Sequence, residues 1–223
     1  MKSIPVWRWP ILLLILLISA DLMFIGLEII HTVGYASDYK FSLGTERGYS
    51  EVYQYVKFFW VALLLGWLTI KMYQPIYGIG SLLFLYLLLD DSLEIHETAG
   101  GEIADWVGLA PALGLRGKDY GELAVYALVG TLFLALGWLA YRASNALARQ
   151  ISWYVLGGVI VLAIFGAGAD MLHALLMNGF PWSDTPMLIL EDGGELIALS
   201  GITWIVFSFA NQELNTDLSY DKL

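Results

Sequence analysis

The sequence has no cysteine, which excludes disulfides, iron–sulfur clusters, thiolate zinc sites and covalently attached haem. Histidine is nearly as scarce, with only His31, His96 and His173. That count rules out the histidine-rich chemistry of membrane hydroxylases and desaturases. Charged residues make up 14% of the chain, against roughly 25% in an average soluble protein. The formal net charge of −10 comes with no basic patch, so no nucleic-acid partner is expected.

The chain is instead rich in apolar residues. Its 223 residues are 58% hydrophobic with a mean hydropathy of +0.67, the composition of an integral membrane protein. Six apolar runs lie near residues 9–31, 54–74, 77–97, 120–141, 152–175 and 187–210. Each approaches the roughly 20 residues needed to cross a bilayer. The expected fold is all-α: one polytopic membrane domain over 1–212 with about six transmembrane helices, then a polar, acidic tail over 213–223. The first run starts like a signal peptide, with Lys2 and Arg8 ahead of an apolar stretch, but it continues past Ala20 and reads as a retained span.

Lys and Arg near the span ends set the expected orientation. With the N-terminus in the cytoplasm, Lys2, Arg8, Lys71, Arg142, Arg149 and Lys222 fall inside, and Lys40, Arg47, Lys57, Arg116 and Lys118 outside. The inner charges sit in short loops hard against the spans, which places both termini in the cytoplasm. The outer loops, 32–53 and 98–119, are longer, and 103–109 could lie in the headgroup layer as an amphipathic helix. Nine Trp and thirteen Tyr fit interfacial belts.

Against this background one stretch stands out. Asp90, Asp91, Glu94, His96 and Glu97 place five ionisable residues in eight positions at the end of the third run. A carboxylate in hydrocarbon costs several kcal/mol unless it is paired, protonated or bound to a cation. Other runs supply acids at the same depth. Three odd-numbered runs end alike, in Glu28-x-x-His31, Asp91-x-x-Glu94 and Asp170-x-x-His173. The even-numbered runs open with Glu51, Glu122 and Glu195. Three pseudo-repeated helical hairpins are the simplest account.

Residues three or four apart share a helix face, so Glu28/His31, Asp91/Glu94, Asp170/His173 and Glu191/Glu195 each present two groups together. These eight are the candidate metal ligands, all in the outer third of the bilayer. The pattern resembles the ligand sets of dinuclear carboxylate sites in helical bundles, which pair Glu with Glu-x-x-His. The resemblance is in ligand pattern only, and Asp170 here has a shorter reach than Glu. Asp21, Asp90, His96, Glu122 and Asp192 are candidates for a supporting shell or proton path, Asp21 because it lies near mid-bilayer.

A carboxylate-rich, histidine-poor set suits two divalent ions, iron or manganese before zinc. The leading expectation is a membrane metalloenzyme acting on a lipophilic or small substrate, oxidative with iron and hydrolytic with zinc. One alternative is a divalent-cation or proton transporter, favoured by Asp21 and by Gly166, Gly168, Gly193 and Gly194 as helix breakers. Another is a non-catalytic subunit of a larger membrane complex. Expected partners are the lipid bilayer, the substrate, and a second copy of the chain or other membrane subunits.

Overall fold

A computed structural model describes residues 8–177, 180 and 183–220. Lys2, Lys222 and the last residues of the tail lie outside the described residues. The architecture is all-helical. The principal helices are α1 (Arg8–Thr32), α2 (Tyr49–Met72), α3 (Pro75–Ser92), α4 (Ile95–Val107), α5 (Gly117–Ala143) and α6 (Ala146–Ala163). They are followed by α7 (Asp170–Met177), α8 (Asp184–Leu188) and α9 (Gly194–Tyr220). π-helical turns join α6 to α7 (Ile164–Ala169) and α8 to α9 (Ile189–Gly193).

Among the described residues, five segments are long and apolar enough to cross a membrane: Trp9–Thr32, Tyr49–Met72, Gly117–Ala143, Ala146–Leu176 and Asp184–Asn215. A sixth exists if α3 and α4, bent by 71° at their junction, form one broken span. The predicted third run to residue 97 therefore stops short. Its helix ends at Ser92 because Glu94 takes up left-handed backbone (φ 54°), and the chain turns before restarting at Ile95. The expected amphipathic helix at 103–109 is only the far half of α4. That helix lies directly on α5: a Cβ at Gly121 would meet the Gly100 carbonyl oxygen at 1.9 Å, so neither position can carry a side chain. The acidic tail is not a separate segment either, since α9 continues to Tyr220.

At the opposite end the turns are tight. Tyr73 closes α2 in left-handed backbone, and Pro75 opens α3 at a position where its missing N–H costs nothing. Asn145 caps α6 by accepting from Ala148 N at 2.9 Å. The Gln74 side chain ties the two turns together, accepting from Asn145 N at 2.8 Å.

Buried apolar residues from four helices form the core: Phe58 and Leu65 of α2, Phe84 of α3, Val155 of α6, and Ile202 and Val206 of α9. α1 lies on the outside of this core, packed along α9. It meets α2 through long side chains, Phe24 against Tyr53 and Asp21 against Lys57. The first expected hairpin is therefore not a closely packed helix pair, and a threefold repeat of packed hairpins does not describe the bundle.

Candidate functional site: an acid-lined chamber

The irregular backbone gathers at one end of the bundle, around a cavity of about 330 Å³. Its walls carry Glu51 and Gln54 from α2, Asp91 from α3, His96 and Glu97 from α4, and Glu122 and Tyr126 from α5. Asp170 and His173 of α7 line it as well, with Glu191 and Asp192 from the second π turn and Glu195 from α9. π turns insert an extra residue into a helix and re-aim the side chains that follow. Here they do so on two adjacent segments. Gly166 in the first lets Glu195 come close, since a Cβ there would strike Glu195 Oε1 at 2.0 Å. The glycines expected to break helices therefore permit π turns within continuous spans.

Of the eight predicted ligands, the chamber gathers five: Asp91, Asp170, His173, Glu191 and Glu195. Glu28, His31 and Glu94 stand outside it. Glu28 is buried and engaged, accepting from Thr32 Oγ1 at 2.9 Å and from Leu43 N at 2.7 Å, so it pins the following loop to α1. His31 lies with Nδ1 3.0 Å from the Ala36 carbonyl oxygen. Glu94 pairs with Arg47 at 2.9 Å on the surface, because the backbone turn at Glu94 removes it from the face of α3 that presents Asp91.

Within the chamber each histidine is oriented by carboxylates. His96 Nδ1 lies 3.0 Å from Asp90 Oδ2, while Tyr86 donates to the other oxygen of Asp90 at 3.0 Å. The ring also packs against Tyr126, with centroids 5.0 Å apart. Among the described residues Nε2 of this chamber-lining imidazole has no hydrogen-bond partner. His173 has both ring nitrogens engaged, by Glu191 at 3.1 Å and by Asp184 at 3.2 Å. On the α5 side Lys118 pairs with Glu97 at 2.6 Å and Glu122 at 3.3 Å, and Arg116 with Asp119 at 2.7 Å.

The inner wall is different. Glu51 accepts from Arg47 N, and Glu195 accepts from Gln54 Nε2 at 2.7 Å. Asp91 lies in electrostatic reach of Glu195, Glu51 and Asp90, and Asp192 in reach of Glu191, Asp91 and Glu51. Asp91 Oδ2 and Asp192 Oδ2 are shut off from solvent and accept no hydrogen bond among the described residues. Among those residues no three His, Asp or Glu side chains stand close enough to hold a metal as placed. At the rim Glu46 is exposed, yet loss of hydration on its chamber side raises its carboxyl above the usual range. Glu51, Glu97 and Glu94 add to the shift and Arg47 opposes it.

Beneath the chamber sits a group that the sequence reading did not assemble. Lys57, counted among the outer-side charges, is wholly buried and donates to Asp21 Oδ1 at 2.9 Å, Leu196 O at 2.8 Å and Ser200 Oγ at 3.2 Å. Ser200 in turn donates to Asp21 Oδ2 at 2.6 Å. Depth could have found this pair. Asp21 is eleven residues from the end of α1 and Lys57 eight from the start of α2, roughly 12–17 Å into the bundle at 1.5 Å per residue. Gln54 and Asp184 were also missed, and no sequence signal marks them.

Fold and chamber together define an all-helical integral membrane protein with a carboxylate-lined cavity at one end. The chain belongs to the family described as a domain of unknown function (DUF8692), whose model matches residues 10–210. No curated protein and no solved structure matches it.

Proposed function

We propose that the chamber binds a divalent cation in a mainly carboxylate shell, and that the protein is a membrane metalloenzyme. The observation that carries this reading is the pair of buried carboxylate oxygens, Asp91 Oδ2 and Asp192 Oδ2, that no donor satisfies among the described residues. Acids in mutual reach inside a low-dielectric bundle must be protonated or share a cation. Asp91, Asp192, Glu51 and Glu195 are the proposed ligands, drawn together by rotamer changes on binding. His96 supplies an imidazole nitrogen, Nε2, that no described residue engages, and Asp90 fixes its tautomer as a supporting carboxylate does. Oxygen donors with a single nitrogen favour manganese or iron(II) over zinc. An ion held this way would lower the pKa of a coordinated water.

Lys71, Arg142 and Arg149, set in short turns against the spans, favour a cytoplasmic far end and a chamber on the extracytoplasmic side. A transport route is disfavoured by the interior below Lys57, which is apolar through Val61, Leu65, Ile202 and Val206.

Titration of the detergent-purified protein with manganese(II) and with zinc(II), followed by calorimetry, tests the assignment. Asp91→Asn and Asp192→Asn are each expected to weaken manganese binding about tenfold or more, while Glu28→Gln and Glu94→Gln leave it within about twofold. Equal affinities across all four variants would refute the ligand set.

A further inference from the structure

The second cavity lies at the opposite end, in the gap that α3, α5 and α6 leave between them. It encloses about 260 Å³ and is walled by apolar groups such as Leu65, Leu83, Phe133 and Val159. Its depth comes partly from glycine. Gly80 and Gly137 line it, and a Cβ at Gly137 would meet nothing within 4 Å. Trp138, Tyr141 and Trp153 stand at the end nearest the α5–α6 turn. Tyr141 stacks on Trp138 at 6.1 Å and accepts from Trp153 Nε1 at 3.3 Å. Aromatic rings of this kind mark the headgroup level of a bilayer.

A guanidinium is set beside them. Arg149 Cζ lies 5.2 Å from the Tyr141 ring centre, Nε donates to Tyr141 O at 2.9 Å, and Nη2 donates to Arg142 O at 2.8 Å. Two carbonyls and one ring thus fix its position and leave further N–H donors of the fork unused. Arg142, exposed on the same turn, and Arg149 meet no carboxylate among the described residues, whereas Arg47, Arg116 and Lys118 at the chamber end are each matched to one. A fixed guanidinium with spare donors, next to a second arginine at headgroup level, is complementary to a phosphate diester.

We propose that the cavity between α3, α5 and α6 seats an acyl chain of an anionic glycerophospholipid whose phosphate rests on Arg149 and Arg142. The volume is too small for a whole lipid and suits one chain segment. An acyl chain gains little by leaving one apolar medium for another, so selectivity comes from the headgroup end. The site is separate from the acid-lined chamber and stands or falls independently of it.

The experiment measures lipid retained per chain, by native mass spectrometry, after detergent-purified protein is incubated with phosphatidylglycerol or phosphatidylcholine of matched chains. Quenching of Trp fluorescence by brominated chains is read in parallel. Wild type is expected to retain phosphatidylglycerol about fivefold or more over phosphatidylcholine. Arg142→Gln/Arg149→Gln should abolish the preference, and Gly137→Leu, which fills the cavity, should reduce retention and quenching with both lipids. Melting temperatures near wild type establish that each variant is folded, and Arg142→Gln alone, which leaves the bonded Arg149 in place, should show a partial loss. Equal retention of the two lipids by wild type, an unchanged preference in the double variant, or full displacement by glycerol phosphate lacking chains would each overturn the proposal.

Discussion

The two ends of this bundle hold cavities of comparable size and opposite chemistry. One encloses about 330 Å³ among carboxylates, and the other about 260 Å³ among aliphatic and aromatic side chains. Their backbones differ in the same sense. The apolar cavity lies between regular helices joined by short capped turns. The acidic chamber is framed by a left-handed residue at Glu94, a 71° bend and two π turns. Irregular backbone is tolerated at membrane depth only where it faces protein or a polar cavity. The π turns and the sharp bend are therefore concentrated where polar side chains need aiming, whereas at the apolar end left-handed backbone serves only to close a turn, at Tyr73.

The boundary between the two regions is the buried Lys57–Asp21–Ser200 group, and breaking it should have the largest effect. Lys57→Met leaves Asp21 charged and unmatched inside the bundle, which is expected to cost about 3–5 kcal/mol. The double variant Asp21→Asn/Lys57→Met removes both charges and should recover most of that loss. Thermal unfolding in detergent measures both, and a single variant as stable as wild type would show that the pair does not hold the boundary. The manganese titration of the chamber variants and the lipid retention of the arginine variants then sharpen the contrast from either side.

The smallest expected effect is at the rim. Glu46 has a raised carboxyl pKa in the fold, so its contribution is fully present below the unfolded value and is lost as pH rises through the folded one. Glu46→Gln should therefore raise the melting temperature slightly at pH 7, on the order of 1 °C given solvent screening, and not at pH 4. Measured with chelator present, a gain at pH 4 equal to that at pH 7 would contradict the sign.

Hydropathy made much of this legible. The apolar runs mark the long helices, and charge marked one end of the bundle as the polar one. Asp91, Asp170, His173, Glu191 and Glu195, five of the eight expected ligands, line the chamber there. What failed was reading faces from helical spacing. Glu94 is three residues from Asp91, but the backbone reverses hand between them. His31 follows Glu28 by three residues on a helix that packs along α9, and neither side chain lines the chamber. The π turns are invisible to a 3.6-residue periodicity, and Gly166 and Gly193 looked like breaks for that reason. Lys57 was misplaced because it lay three residues inside the start of the run at 54 and was counted with the outer charges, whereas α2 starts at Tyr49 and carries the lysine deeper. His96, ranked as a supporting residue, turns out to line the chamber because α4 is a separate helix folded back over it.

The central claim is that the unmatched carboxylates of the chamber hold a divalent ion. Elemental analysis per chain, on protein purified without chelator and loaded with manganese(II), tests it directly. Wild type should carry about one or two equivalents, and Asp91→Asn/Asp192→Asn should carry almost none while melting normally. Equal metal in the two proteins, or none in wild type after loading, would contradict the account.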